Sequence, residues 1–209
     1  MKKLILSMVM VVISVGMAMA QDKADEVGFG VTGLRQNQEL KVPSLDTFKI
    51  NADTDSLGGY IDYTHFLKNK SVGITSEFAI TFHDKVRSGT YQIPNGTVTL
   101  NGRSKVALGT YMAGLKFKPR NKRVAPYAEV LAGVGNENLG GITYAPTSSF
   151  RLKKWGFAFA VGGGIETRFN KDGKWRLKTG AKYVQTRFND SFHTGNSQHN
   201  FRIDVGFVR

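Results

Sequence analysis

Residues 72–83 read Val72-Gly-Ile-Thr-Ser-Glu-Phe-Ala-Ile-Thr-Phe-His83. Val72, Ile74, Ser76, Phe78, Ile80 and Phe82 share one face of an extended chain, and Gly73, Thr75, Glu77, Ala79, Thr81 and His83 share the other. Successive side chains of a strand point to opposite sides, so this period of two predicts a strand of about eleven residues with one oily face. The alternation recurs in Tyr111, Ala113, Leu115 and Phe117, in Phe157, Phe159, Val161, Gly163 and Ile165, in Trp175, Leu177, Thr179, Ala181 and Tyr183, and in Phe201, Ile203, Val205 and Phe207. Weaker versions complete an expected set of eight strands at 26–34, 58–67, 71–83, 109–118, 124–135, 155–169, 174–187 and 201–209.

The connections alternate between long and short. Segments 35–57, 84–108, 136–154 and 188–200 read as long loops, whereas Lys68-Asn69-Lys70, Pro119 to Arg123 and Asn170-Lys171-Asp172-Gly173 read as tight turns. Asn-centred and Asp-Gly turns supply the positive φ that short hairpins need. An even strand number with turns at one end and loops at the other is the pattern of a bacterial outer-membrane barrel, with turns in the periplasm and loops outside. The expected fold is therefore all-β, an eight-stranded antiparallel up-and-down transmembrane β-barrel.

One oily and one polar face would equally describe a soluble periplasmic barrel with an apolar interior. Ala158, Ala160, Gly162 and Gly164 on one strand, with Gly73 and Ala79 on another, favour the membrane version. They are too small and uncharged for a solvated exterior and suit a crowded eight-strand interior. Aromatics also gather at strand ends, Tyr63, Phe66, Phe117, Phe169, Trp175 and Phe207 toward the turns and Phe82, Tyr111, Trp155, Phe188 and Phe201 toward the loops. Two such belts mark the two lipid–water boundaries.

The 209 residues contain no Cys, which excludes a disulfide framework, a thiol nucleophile and a cysteine-ligated metal. Met1-Lys2-Lys3, the apolar run Leu4 to Met17 and Ala18-Met19-Ala20 read as a cleaved secretory signal peptide over residues 1–20, with the barrel domain at 21–209. Loss of Lys2 and Lys3 lowers the formal charge from +13 to +11. No later run of about 18 apolar residues could span a membrane as a helix.

The signal peptide, the eight strands, Pro126-Tyr127 opening the fifth strand, Gly162-Gly163-Gly164-Ile165-Glu166 before an Asp-Gly turn, and the closing Phe201-Arg-Ile-Asp-Val-Gly-Phe207 carry a resemblance. The chain resembles the small porin-like outer-membrane β-barrel proteins grouped with the opacity surface antigens and the transmembrane domain of outer-membrane protein A. The likeness covers the entire mature chain and implies an outer-membrane location. It also implies dealings with periplasmic chaperones and the barrel assembly machinery. Such chains usually end on an aromatic residue, whereas Phe207 is followed here by Val208 and Arg209.

Motifs for chemistry are weak. Gly28-Phe-Gly-Val-Thr-Gly33 fits the dinucleotide-binding string, which needs a following helix N-terminus that this pattern lacks, so close packing within the first strand is the expected role. Asn95-Gly96-Thr97 fits a glycosylation acceptor but, with Asn101-Gly102 nearby, reads as hairpin-turn residues. A lipid A modifying enzyme would need Ser, His and an acid near one rim. His193, Ser197 and His199, with Asp190 and Ser191, fall in a Gly-, Asn- and Ser-rich stretch that reads as a solvated loop. His65 and His83 are single members of strand faces, so no metal site, catalytic site or cofactor is expected.

The inward faces are richer. Glu77, Glu129, Glu166 and Asp204 share them with Lys116, Arg168, Arg176, Lys178, Lys182 and Arg202, which permits a paired ladder filling the lumen. Within it Glu166 is expected to serve Arg176 and Arg168, with Glu129 next nearest. At the outer rim Lys85, Arg87, Arg103, Lys105, Arg151, Lys153 and Lys154 are expected to meet lipopolysaccharide phosphates. Export makes nucleic acid an improbable partner. The function expected from these features is that of a non-enzymatic outer-membrane barrel, structural or displaying loops for adhesion or contact with an unidentified surface ligand. A narrow small-solute channel and a lipid A modifying enzyme are the alternatives.

Overall fold

The computed structural model describes the backbone of residues 25–37, 39–42, 45–51, 54–67, 71–93, 96–119, 122–144, 148–169, 174–188 and 197–209. Side chains are described for 25–36, 55–67, 71–83, 106–119, 122–138, 153–169, 174–188 and 197–209. The expected signal peptide, the turn tips at 68–70 and 170–173, and His193 lie outside these residues.

Ten strands follow in order: β1 (Asp25–Asn37), β2 (Glu39–Val42), β3 (Leu45–Asn51), β4 (Thr54–Phe66), β5 (Val72–Ile93), β6 (Gly96–Phe117), β7 (Val124–Tyr144), β8 (Ser148–Arg168), β9 (Arg176–Phe188) and β10 (Ser197–Val208). Eight of them close into one antiparallel barrel in the order β1-β10-β9-β8-β7-β6-β5-β4, and β2 and β3 pair separately. All eight expected strands are present. The register climbs around the wall from Val27 through Tyr63, Ser76, Ala113, Ala132, Phe159, Gln185 and His199 back to Asn37, ten residues further along β1. That stagger tilts the strands and sets which inward side chains share a level. Closure at the C-terminus is completed by paired backbone bonds of 2.9 Å between Val27 and Arg209, so β1 and β10 leave no open edge at the turn side.

Three expected loops are instead largely strand: 35–57 holds the end of β1, all of β2 and β3 and the start of β4. β5 and β6 run 22 residues each and pair continuously to Ile93↔Gly96, and β7 and β8 pair to Tyr144↔Ser148. A tilted strand crosses a bilayer in about 9–11 residues, so each hairpin continues well past the hydrocarbon. The period of two fades in the sequence of 84–108, which hid this continuation.

Direction of the side chains decides between the two barrels. Val31, Ile74, Phe78, Tyr111, Leu115, Phe157, Val161, Ile203 and Val205 are exposed on the outer wall, while Glu77, Glu166, Lys178, Lys182, Arg202 and Asp204 are buried inside. Charges inside and hydrocarbon outside suit lipid, the reverse of a soluble barrel. At the turn side Phe29 meets the edge of Trp175 at 5.9 Å, Phe169 lies 6.0 Å from Phe207, and the Arg209 guanidinium sits 5.7 Å over Trp175. Phe66 and Phe188 do not join the belts. Each is buried in the lumen, because parity on β4 and β9 places it with Asp62 and Lys182 and not with Tyr63 and Tyr183.

A closed barrel satisfies its strand hydrogen bonds internally and resists detergent until heated. Boiled and unboiled samples are expected to migrate differently on a denaturing gel; equal mobility would count against closure.

Candidate functional site: the charged lumen

The lumen is layered. Its turn-side half carries charge, Met112, Leu131, Ala158, Ala160 and Val184 pack above it, and Leu34, Leu108 and Phe188 cluster nearer the loop-side mouth. Inward positions come from alternate residues of every strand, so most of the charged partners originate far apart in sequence and meet across the closed barrel, Arg202 and Asp204 on β10 being neighbours.

At the lowest level Glu166 of β8 receives Lys116 Nζ on Oε1 at 2.6 Å and Lys118 Nζ on Oε2 at 2.5 Å. Glu26 of β1 receives Lys118 and, at 2.6 Å, Arg176 Nη1, which also lies 3.5 Å from Glu166. Above them Lys178 reaches Asp62 at 2.6 Å and lies 5.1 and 5.3 Å from the Tyr60 and Tyr127 ring centres. Lys116 covers the other approach to Tyr127 at 5.0 Å. These cation–ring contacts fill the space between ion pairs and replace water that the ammonium groups have lost. Gly180 makes the room: a β-carbon there would fall 2.1 Å from the Tyr127 hydroxyl.

The upper level is acidic. Lys182 contacts Glu77, Glu129 at 2.5 Å and Asp204 at 3.4 Å, and Arg202 Nη2 contacts Glu77 at 2.7 Å and Asp204 at 2.8 Å. Lys116, Lys118, Arg176, Lys178, Lys182 and Arg202 thus face Glu26, Asp62, Glu77, Glu129, Glu166 and Asp204, six cations and six acids. The network is neutral as a whole, with one surplus cation below and one surplus acid above. The chain's formal charge of +13 therefore resides elsewhere.

Nine of the ten expected lumen residues join these ion pairs. Arg168 stands opposite Arg176 in register, as expected, yet takes no part in the described ion pairs. Glu166 turns across the lumen to β6 because two ammonium groups converge there. Glu26, Asp62 and Lys118 escaped the sequence reading, although parity alone puts Lys118 beside Lys116 and Asp62 beside Tyr60. Gly28 confirms the packing role of its motif, since a β-carbon there would fall 2.6 Å from Asp62 Oδ1.

At the rim Lys153 is exposed, with its ammonium 5.9 Å over the Trp155 ring. Lys154 differs from expectation: alternation turns it inward, where it is buried, so it does not face external lipid. The side chains of Lys85, Arg87, Arg103, Lys105 and Arg151 lie outside the described set, but their backbones belong to the long hairpins. Among the described residues no group of three or more His, Cys, Asp or Glu is placed to hold a metal ion.

Residues 8–208 match the family model described as the outer membrane protein beta-barrel domain. The chain belongs to this family. Its location is accordingly the bacterial outer membrane, as the lipid-facing wall requires. No curated protein matches this outer-membrane barrel. Among solved structures it is similar to Neisserial surface protein A, at 9% identity over 89% of this chain and 96% of that one, TM-score 0.53. It is also similar to Ail, the attachment invasion locus protein of Yersinia pestis, solved with the heparin analogue sucrose octasulfate (15% identity, 88% and 99% coverage, TM-score 0.50). The outer membrane protease OmpT of Escherichia coli is a third likeness (9% identity, 88% and 95% coverage, TM-score 0.50). At these identities the likenesses establish the fold of the outer-membrane barrel and nothing of its activity.

Proposed function

We propose that this outer-membrane barrel is a closed scaffold whose working surface is its loop end, where the β5–β6 and β7–β8 hairpins meet lipopolysaccharide and external ligands. The observation that carries this reading is the neutral, side-chain-filled lumen. A buried network of six ion pairs' worth of charge leaves an eight-stranded interior little room for solute. Contact with partners then falls to the hairpins, whose backbones carry Lys85, Arg87, Arg103, Lys105 and Arg151 beyond the apolar band. Positive side chains near the anionic outer leaflet are drawn to its phosphates, and the Lys153–Trp155 pair at the boundary suits the same surface. In this reading the lumen and hairpins perform no catalysis.

Replacing residues 86–103 by a short Gly-Asn turn is expected to weaken binding of the refolded protein to lipopolysaccharide-bearing vesicles severalfold, and to reduce the salt dependence of what remains. Vesicles of neutral phospholipid should show no such change. Equal lipopolysaccharide binding by the shortened protein would contradict the reading.

A further inference from the structure

A group of polar side chains stands together on the outer face of β9 and β10. Ser197 and His199 are two residues apart on β10 and share its outward face, so the stretch 197–199 is strand and not the solvated loop expected from composition. The Tyr183 hydroxyl of β9 is hydrogen-bonded with His199 Nδ1, and the two rings lie 5.9 Å apart. On the other side of the imidazole, Ser197 Oγ stands 3.3 Å from His199 Nε2. Arg187 is directly opposite Ser197 in register and exposed on the same face. On the β8 side the wall is apolar, with Phe157 beside Arg187, Phe159 beside Gln185 and Val161 beside Tyr183, and Phe201 continues it on β10, all exposed. On the β1 side Asn37 is opposite His199 and the exposed Arg35 is opposite Phe201.

A hydroxyl, an imidazole within reach of it and a third group orienting the imidazole are the parts of an activated nucleophile. Catalytic hydrogen bonds are commonly long before substrate is bound, so 3.3 Å is compatible with that role. The position supplies the substrate class. The group lies at the loop-side edge of the hydrocarbon band, the depth at which acyl ester bonds of lipids sit, with aromatic wall below it for acyl chains. We propose that Ser197, His199 and Tyr183 form a hydrolytic centre on the lipid-facing wall that cleaves acyl esters of outer-leaflet lipids.

With the Nδ1 proton donated to the Tyr183 oxygen, the Nε2 lone pair accepts the Ser197 proton as Oγ attacks the ester carbonyl. The carbonyl oxygen becomes an oxyanion beside the Arg187 guanidinium, which favours that charge. The bond to the alcohol oxygen breaks, and that oxygen takes the proton from Nε2, leaving acyl-Ser197. Water then loses a proton to Nε2 and attacks the acyl carbon, and Ser197 Oγ recovers the proton as it departs. One ester and one water give one fatty acid and one alcohol, with no change of oxidation state. Ser197 and His199 are catalytic residues and Tyr183 is a positioning residue. This centre is independent of the closed-lumen reading.

The test uses the refolded full chain in vesicles of phosphatidylethanolamine and, separately, in vesicles that also carry lipopolysaccharide, with released fatty acid measured by mass spectrometry. Release is expected from at least one set: from the first, it assigns a phospholipid ester, and from the second alone, an ester of lipid A. Ser197→Ala and His199→Ala are expected to lower release by about 100-fold or more. Tyr183→Phe should lower kcat with KM unchanged, which a general loosening of the wall would not do. Heat-dependent gel mobility checks that each variant is folded, and a fluorophosphonate probe should label wild type at Ser197 but not His199→Ala. Absence of release from both vesicle sets, or release that Ser197→Ala retains, would overturn the proposal.

Discussion

Replacing Glu166 with Gln is expected to destabilise the folded barrel by about 3–5 kcal/mol, the scale of breaking a buried pair by removing one partner. Glu166 is fully buried and accepts from both Lys116 and Lys118. Without its charge, Lys116 keeps no described acid, and Lys118 and Arg176 must share Glu26. The loss should be coupled to Lys116: Glu166→Gln with Lys116→Met should cost less than the two single changes together, by about 0.5–3 kcal/mol. Glu166→Gln with Arg168→Gln should instead be additive, since Arg168 stands outside the ion pairs. Urea unfolding in detergent micelles measures the three single and two double variants. A coupled Arg168 and an uncoupled Lys116 would show that the lower cluster is wired differently.

Lys182→Met is expected to be at least as damaging, because this lysine is the hub of the acidic level. It serves Glu77, Glu129 and Asp204, and Glu129 has no other described ion pair. Its removal leaves Arg202 as the one cation in described ion-pair contact with this level, against three buried carboxylates whose like charges are confined in a low-dielectric space. The expected loss is again about 3–5 kcal/mol or more. Adding Glu129→Gln should recover part of it by removing the carboxylate that lost its one described ion pair. Recovery identical with Glu26→Gln, a lower-level acid, would show that net charge matters and pairing does not.

Parity sorted each strand into its two faces, and the small residues of the polar face, Ala158, Ala160, Gly162 and Gly164, decided which of the two meets lipid. Phe66 and Phe188 were misplaced when aromatic identity was allowed to outrank parity. The extent of β5–β8 was hidden because no oily face repeats in the sequence of 84–108, and alternation is the only strand signal a sequence offers there. Most lumen charges were also legible, but their partners were not. Lys118 meets Glu26, Lys178 meets Asp62 and Lys182 meets Glu77 across the barrel. Those meetings depend on the ten-residue stagger, which no local pattern encodes. Glu26 sits at a strand end, where alternation has too few residues to declare a face, whereas Lys118 shares the face of Lys116 by parity and was left out, one residue beyond the end of β6. Ser197 and His199 were named together from the sequence but set aside as solvated loop, because a Gly- and Asn-rich approach masked the start of β10.

The closed lumen is tested most directly by single-channel recording of the refolded protein in planar bilayers at neutral pH. With the charged side chains paired as found, the expected record is a baseline without discrete open steps at voltages where the bilayer itself is stable. Reproducible, long-lived conductance steps from folded wild-type protein would mean that the lumen is wet and continuous, and the account of a plugged scaffold would be wrong.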